Sequence, residues 1–227
     1  MLPLFAAAVF LPLSHYGLSS TGLRDALVKR LGERGYLGLY SLVAFGAFYF
    51  LVSTYRQAPL AILWIAPDSL KLAIFPIVLV TFLLAVIGVT TPNPTAVGAE
   101  NLLSDPNAVR GILRVTRNPF LWGASLWALA HLIVRGDIAS LLLFGSVAVL
   151  GLAGMRLLEA KKRRRHGADW TVFAALTSNI PFQAILEGRQ QLVWSELGWW
   201  RVVLAVALFA VALWGHRWAF GVSPIPM

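Results

Sequence analysis

Cysteine is absent from the 227 residues, which excludes disulfides, thiolate metal sites and cysteine nucleophiles. Charge is nearly as scarce: Asp, Glu, Lys and Arg make up 13% of the chain, about half the share of an ordinary soluble domain. With ten carboxylates and four histidines, few residues are available for acid–base or metal chemistry. No Ser-His-Asp set, glycine-rich phosphate loop or zinc-ligand spacing stands out. What fills the sequence instead is hydrocarbon, at 58% hydrophobic residues.

That hydrocarbon is gathered into windows near 2–19, 37–53, 70–90, 119–134, 138–158 and 200–220. Each is apolar enough to cross, or nearly cross, a layer that needs about 20 helical residues. The expected fold is therefore all-α, a polytopic membrane bundle of about six transmembrane helices. No Lys or Arg precedes Arg24, and "PLSHYGLSS" is a poor cleavage site, so the first window is expected to be a retained helix rather than a secretory signal.

Basic residues set the orientation. Arg24, Lys29, Arg30 and Arg34 follow the first window, Arg110, Arg114 and Arg117 follow the third, and "KKRRR" at 161–165 follows the fifth. The other side carries only Arg56, Lys71, Arg135 and Arg217. The positive-inside rule then puts both termini on the non-cytoplasmic side. The formal charge of +9 suggests anionic headgroups rather than nucleic acid as its partner, because the densest basic run directly follows a span.

No internal repeat or long flexible linker divides residues 1–227, which are read as one integral membrane domain with amphipathic cytoplasmic segments near 21–35, 105–118 and 168–190. Leu23, Leu27 and Leu31 recur at helical spacing in the first of these. In the second, Asp105 suits an N-cap and Pro106 a first helical position, so a short helix is expected to align Arg110, Arg114 and Arg117 on one face. The longest loop is expected over 159–199, lying against the membrane. Trp199 and Trp200, with Trp214 and Trp218, fit interfacial belts at the two ends of the last span.

Two histidines fall inside apolar windows, His15 and His131. Imidazole within a span is expensive to bury and raises the question of function. Each either bonds a neighbouring helix or ligates a metal. His166 and His216 lie at or beyond the membrane edges and are weaker candidates.

Three stretches carry a family resemblance: "SHYGLSS" at 14–20, "GILRVTRNPFLWGASLWALAH" at 111–131 and "NIPFQAILEGRQ" at 179–190. Together they resemble the NnrU family of bacterial membrane proteins and the plant 15-cis-zeta-carotene isomerases. The resemblance implies a haem b whose iron is held by His15 and His131, and an activity that interconverts cis and trans double bonds of an apolar polyene. Its bacterial branch implies instead a haem accessory or sensor protein of nitrite and nitric oxide respiration, with a small diatomic ligand, in the bacterial inner membrane. On the haem reading Arg135, one turn beyond His131, either meets a propionate or anchors the helix end at the interface. The family's Arg-His-Pro is Arg117-Asn118-Pro119 in this chain, and Asn neither titrates nor ligates iron as imidazole does.

A second resemblance, to isoprenylcysteine and phospholipid methyltransferases, rests on the order Arg117-Asn118-Pro119, Gly123, Glu159, "HGADW" and "IPF". It implies S-adenosylmethionine held by Arg117 and Glu159, although the central histidine and the usual paired glutamates are missing.

Spacing adds one expectation of depth. His15 lies about four residues from the cytoplasmic end of its span and His131 about twelve from the same side, an offset on the order of 10 Å at about 1.5 Å per residue. A single iron holding both would need a steep ligand axis.

Overall fold

A computed structural model describes residues 1–105 and 107–225. Eight α-helices run through them, with no strand beyond one isolated bridge between Ile62 and Asp137. They are α1 (Leu2–Ser20), α2 (Gly22–Arg56), α3 (Asp68–Ala73), α4 (Phe75–Thr90), α5 (Pro119–Val134), α6 (Ile138–Leu176), α7 (Gln183–Leu186) and α8 (Trp199–Phe220). Five helical stretches are long and apolar enough to cross a membrane: α1, α2, the Asp68–Thr90 stretch, α6 and α8. The expected sixth, α5, has 16 residues and spans about 24 Å, short of a hydrocarbon core of about 30 Å.

The chain forms two compact units, residues 1–67 with 128–157 and residues 68–127 with 158–227. In the first, α1 and α2 are antiparallel neighbours. Thr21 turns the chain between them in extended conformation, and its Oγ1 accepts from Leu23 N–H as an N-cap. α2 breaks once at Gly32, where φ is 70°, which separates the amphipathic turns expected over 21–35 from the apolar run behind them. Beyond the break, Tyr36 OH donates to Leu18 O and Tyr40 packs edge-on against His15, so α2 runs back along α1 in register. Leu4, Ala7, Leu11, Ala47 and Leu51 are buried there.

The same unit contains the end of α5, the start of α6 and the turn between them. Asp137 caps α6, accepting from Ser140 N–H at 2.8 Å and from Ser140 Oγ at 2.7 Å. The extended segment after α2 straps this turn: Leu63 and Trp64 N–H donate to Gly136 O, and Ile138 N–H donates to Ala61 O. A Cβ at Gly136 would lie 2.0 Å from Trp64 O, so only glycine lets the strap approach this closely.

In the second unit, α4 packs on α8, with Phe82 and Phe209 edge to face at 5.8 Å. Gly88 and Gly123 bring α4 and the start of α5 into close contact. Leu84, Ile87, Ile112, Leu113 and Val115 form the buried core, flanked by Trp122, Leu126, Leu197 and Val202.

Three expectations are corrected here. The helix expected within 105–118 is a single 3-10 turn at Gly111–Arg114, because Arg110 is extended and Gly111 takes φ 58°. Pro106 lies outside the described residues, and Asp105 forms a local turn in which its Oδ1 accepts from Asn107 N–H. Arg110, Arg114 and Arg117 therefore share no helix face. The loop expected from 159 starts instead as helix, since α6 continues to Leu176 through a break at Gly167, where φ is 44° and a side chain would be strained.

Candidate functional site

His15 and His131 both belong to the first compact unit. His15 lies on the last part of α1, with Nδ1 2.8 Å from Leu11 O. A carbonyl only accepts, so the proton sits on Nδ1 and the Nε2 lone pair is left for a ligand or donor. The Tyr40 ring stands edge-on to the imidazole at 5.7 Å and 79°. His131 lies in the last turn of α5 and stacks on Phe144 of α6, with centroids 4.7 Å apart and planes at 27°.

α6 serves as a ruler between them. His131 is level with Phe144, while Tyr16, next to His15, donates from its hydroxyl to Val149 O at 2.7 Å and Leu150 O at 3.0 Å. Five to six residues of helix separate those levels, about 8 Å. Side chains tilt toward the N-terminus of their own helix. Because α1 and α5 run in opposite directions along α6, the Cα–Cβ bonds of His15 and His131 lean along that axis toward one another's level.

An apolar groove of about 390 Å³ lies along the α1–α6 contact, lined by Ala8, Val9, Pro12, Leu141, Gly145 and Val149, with Phe5 and Tyr16 also on its wall. That volume falls within the range of small-molecule sites, about 300–1,000 Å³. Its polar atoms are engaged: the Tyr16 hydroxyl on α6 carbonyls and Ser146 Oγ on Leu143 O. What remains for a ligand is hydrocarbon surface.

Arg135 is joined to three groups: Tyr55 OH at 3.3 Å, Ser140 Oγ at 3.4 Å and Asp137 Oδ2 at 3.6 Å. Its side chain is one-third exposed, and the cluster ties the end of α2 to the α5–α6 turn. No spacing in the sequence announced Tyr55 or Ser140 as its partners.

The other resemblance-bearing arginines lie in the second unit. Arg117 Nε donates to Glu159 Oε1 at 2.7 Å, and its Nη1 donates to Ala174 O, Thr177 O and Thr177 Oγ1. Its guanidinium lies 5.8 Å over the Trp170 ring. Arg117 and Glu159 thus come together as the methyltransferase-like order implied, but as an ion pair partway along α6, while the same Arg117 also bonds the carbonyls at the end of that helix. Asn118 is buried; its Nδ2 donates to Asn179 Oδ1 at 2.9 Å, while its own Oδ1 has no partner among the described residues. Asn118 and Asn179 join two segments that both carry the family resemblance.

Arg114 forms a fork on Glu196 at 2.8 and 2.9 Å and donates to Gln190 Oε1. Gly111 N–H adds a third bond to the same carboxylate at 2.7 Å. The Arg114 hydrogen bond chiefly, helped by the Gly111 amide, holds the Glu196 carboxyl below its usual pKa, against a smaller opposing effect of burial. A carboxyl lowered on folding stabilises the fold above its unfolded value, about 4.3, and loses that contribution as pH falls through the folded value. Below pH of about 4.3 the wild type is therefore expected to lose thermal stability more steeply than Glu196→Gln, measured as unfolding midpoint in detergent. Parallel curves would remove Glu196 from the acid response.

Among the described residues, no three His, Asp or Glu side chains gather to hold a bare metal ion. Haem brings four nitrogens of its own and takes one or two further ligands from the protein. His15 and His131 fit that demand in kind: both are half-buried imidazoles in one unit, and His15 has its second nitrogen fixed by a backbone carbonyl.

A model of the NnrU protein family matches residues 3–224. The chain is 32% identical over 188 residues to the chloroplastic 15-cis-zeta-carotene isomerase of Arabidopsis thaliana, covering 78% of this chain and 48% of that protein. It is 36% identical over 84 residues to the isomerase of the same description from Zea mays, covering 36% of this chain and 22% of that protein. The chain therefore spans about half, or less, of the length of these curated relatives. No solved structure matches it.

Proposed function

The chain belongs to the NnrU family, and from that premise we propose that it is a haem b-binding protein of the bacterial inner membrane that isomerises a cis double bond in an apolar polyene. The single observation that carries this reading is that both histidines set in apolar helices and an apolar groove belong to one compact unit. Likeness to two proteins named 15-cis-zeta-carotene isomerase supplies the reaction class.

His15 and His131 would hold the iron; once one of the two histidines had left it, the group would supply a centre able to weaken the π overlap of the polyene double bond. The chain's own residues do the rest. Leu11 O fixes the tautomer and plane of His15, Tyr40 flanks it, and Phe144 supports the plane of His131. The α1–α6 groove offers an apolar surface against which a hydrocarbon chain would lie. Arg135 acts as a tie between helices, since Tyr55, Ser140 and Asp137 already engage it. The basic stretches after α1, before α5 and within α6 favour a topology with both termini outside the cytoplasm.

Protein purified from haem-replete membranes is expected to show a Soret band that weakens strongly in His15→Ala and in His131→Ala and persists in Arg135→Gln. A wild-type protein without a Soret band would overturn the haem reading. Product analysis with a 15-cis polyene tests the activity. A haem-loaded protein that leaves the polyene unchanged would instead match an accessory or sensor protein of nitrogen-oxide respiration.

A further inference from the structure

Five large apolar side chains stand exposed along one short stretch: Val172 and Leu176 on the last turns of α6, then Ile180, Phe182 and Leu186, the last 85% exposed. The opposite face of α6 is filled, with Trp170 and Phe173 buried against Leu103. The stretch is not loose. Phe182 is the one described non-glycine residue at positive φ, 65°, a conformation costly for an aromatic residue. Bonds on both sides of it hold that backbone: Phe182 N–H donates to Val115 O, and its carbonyl accepts from Ile185 and Leu186 N–H.

Two further observations fix its surroundings. Trp122, in the first turn of α5, donates from Nε1 to Asn179 O at 2.8 Å, which sets the segment level with the beginning of an apolar helix. The carbonyls that end α6 are met by guanidinium groups: Ala174 O and Thr177 O by Arg117, and Ala175 O and Thr177 O by Arg189. In water such carbonyls would simply be hydrated, whereas a helix ending within a membrane must have them bonded by protein. Arg163 and Arg164, both exposed, precede the break at Gly167.

We propose that residues 168–186 are seated in the boundary layer of an anionic phospholipid leaflet. Val172, Leu176, Ile180, Phe182 and Leu186 enter the acyl chains, while Arg163 and Arg164 engage the headgroup phosphates. Charge complementarity selects this occupant: the apolar face is preceded by cations. The rigid turn at Phe182 holds an aromatic wedge outward, and the capped end of α6 lets the backbone leave water.

The absence of cysteine makes the test direct. Full-length Phe182→Cys and Leu186→Cys variants are spin-labelled and reconstituted into vesicles of phosphatidylcholine with phosphatidylglycerol, or of phosphatidylcholine alone. Leu186 is so exposed that its replacement leaves the packing intact. In the phosphatidylglycerol vesicles both labels are expected to collide more with oxygen than with a water-soluble nickel chelate. Adding R163Q and R164Q should lower that ratio by about twofold, and only where phosphatidylglycerol is present. Labels open to nickel in both vesicles would overturn the proposal, as would labels shielded from both reagents by a protein surface. Immersion that is indifferent to phosphatidylglycerol and to the two arginines would overturn the assignment to an anionic leaflet.

Discussion

Arg117→Ala is expected to lower stability by about 3 kcal/mol or more, the usual result of stripping one partner from a largely buried ion pair. Arg117 is 11% exposed and Glu159 22%, so the carboxylate left behind could recover only part of its hydration. Glu159 is not the sole loss: Ala174 O and Thr177 O at the end of α6 lose donors, and the Trp170 ring loses the cation above it. For a chain of this size the change corresponds to a fall of about 6–12 °C in unfolding midpoint, readable in detergent by circular dichroism. A double variant, Arg117→Met with Glu159→Gln, should recover a good part of the fall, because the orphaned charge is then gone. If the single and double variants are equally unstable, the carbonyl bonds and the packing on Trp170 matter more than the ion pair.

Gly136→Ala is expected to disrupt the turn between α5 and α6. The new Cβ would lie 2.0 Å from Trp64 O and 2.7 Å from Trp64 Cγ. A backbone oxygen cannot rotate away, so the strap must move, and its bonds from Leu63 and Trp64 to Gly136 O and from Ile138 to Ala61 O go with it. Trp64 Nε1, which donates to Ile133 O two residues beyond His131, is displaced as well. The expected cost is about 3 kcal/mol, at the upper end of ordinary single substitutions, with faster proteolysis within residues 58–67 and a weaker Soret band. Gly145→Ala is the control, since no atom of the described residues lies within 4 Å of a Cβ built there. Equal stability of the two variants would show that the strap yields at little cost.

Part of the candidate site was legible in the sequence. His15 and His131 stand out because imidazole is costly inside an apolar run, and the three motifs bearing the family resemblance lie in linear order along the chain. Their surroundings were not legible. Tyr40, Phe144, Tyr55 and Ser140 are ordinary residues of apolar helices until folding sets them beside His15, His131 and Arg135. The partners of Arg114 and Arg117 lie 82 and 42 residues away, and no spacing rule reaches that far.

Hydropathy by itself determined the helical class and the position of the apolar stretches, because hydrocarbon admits a single chain segment only when its backbone bonds are satisfied internally, and a helix does this locally. Helix ends and irregular segments were decided by the tertiary structure. The turn at 105–118 fails to become a helix because Gly111 N–H and the Arg114 fork find a better acceptor in Glu196 than a local helix would offer. α6 persists past its basic run because Trp170 and Phe173 find a core beyond Gly167, and its last carbonyls are met by arginines from elsewhere in the chain. Local rules govern where a bond partner is three or four residues distant; where the partner is distant in sequence, only the folded chain can supply it.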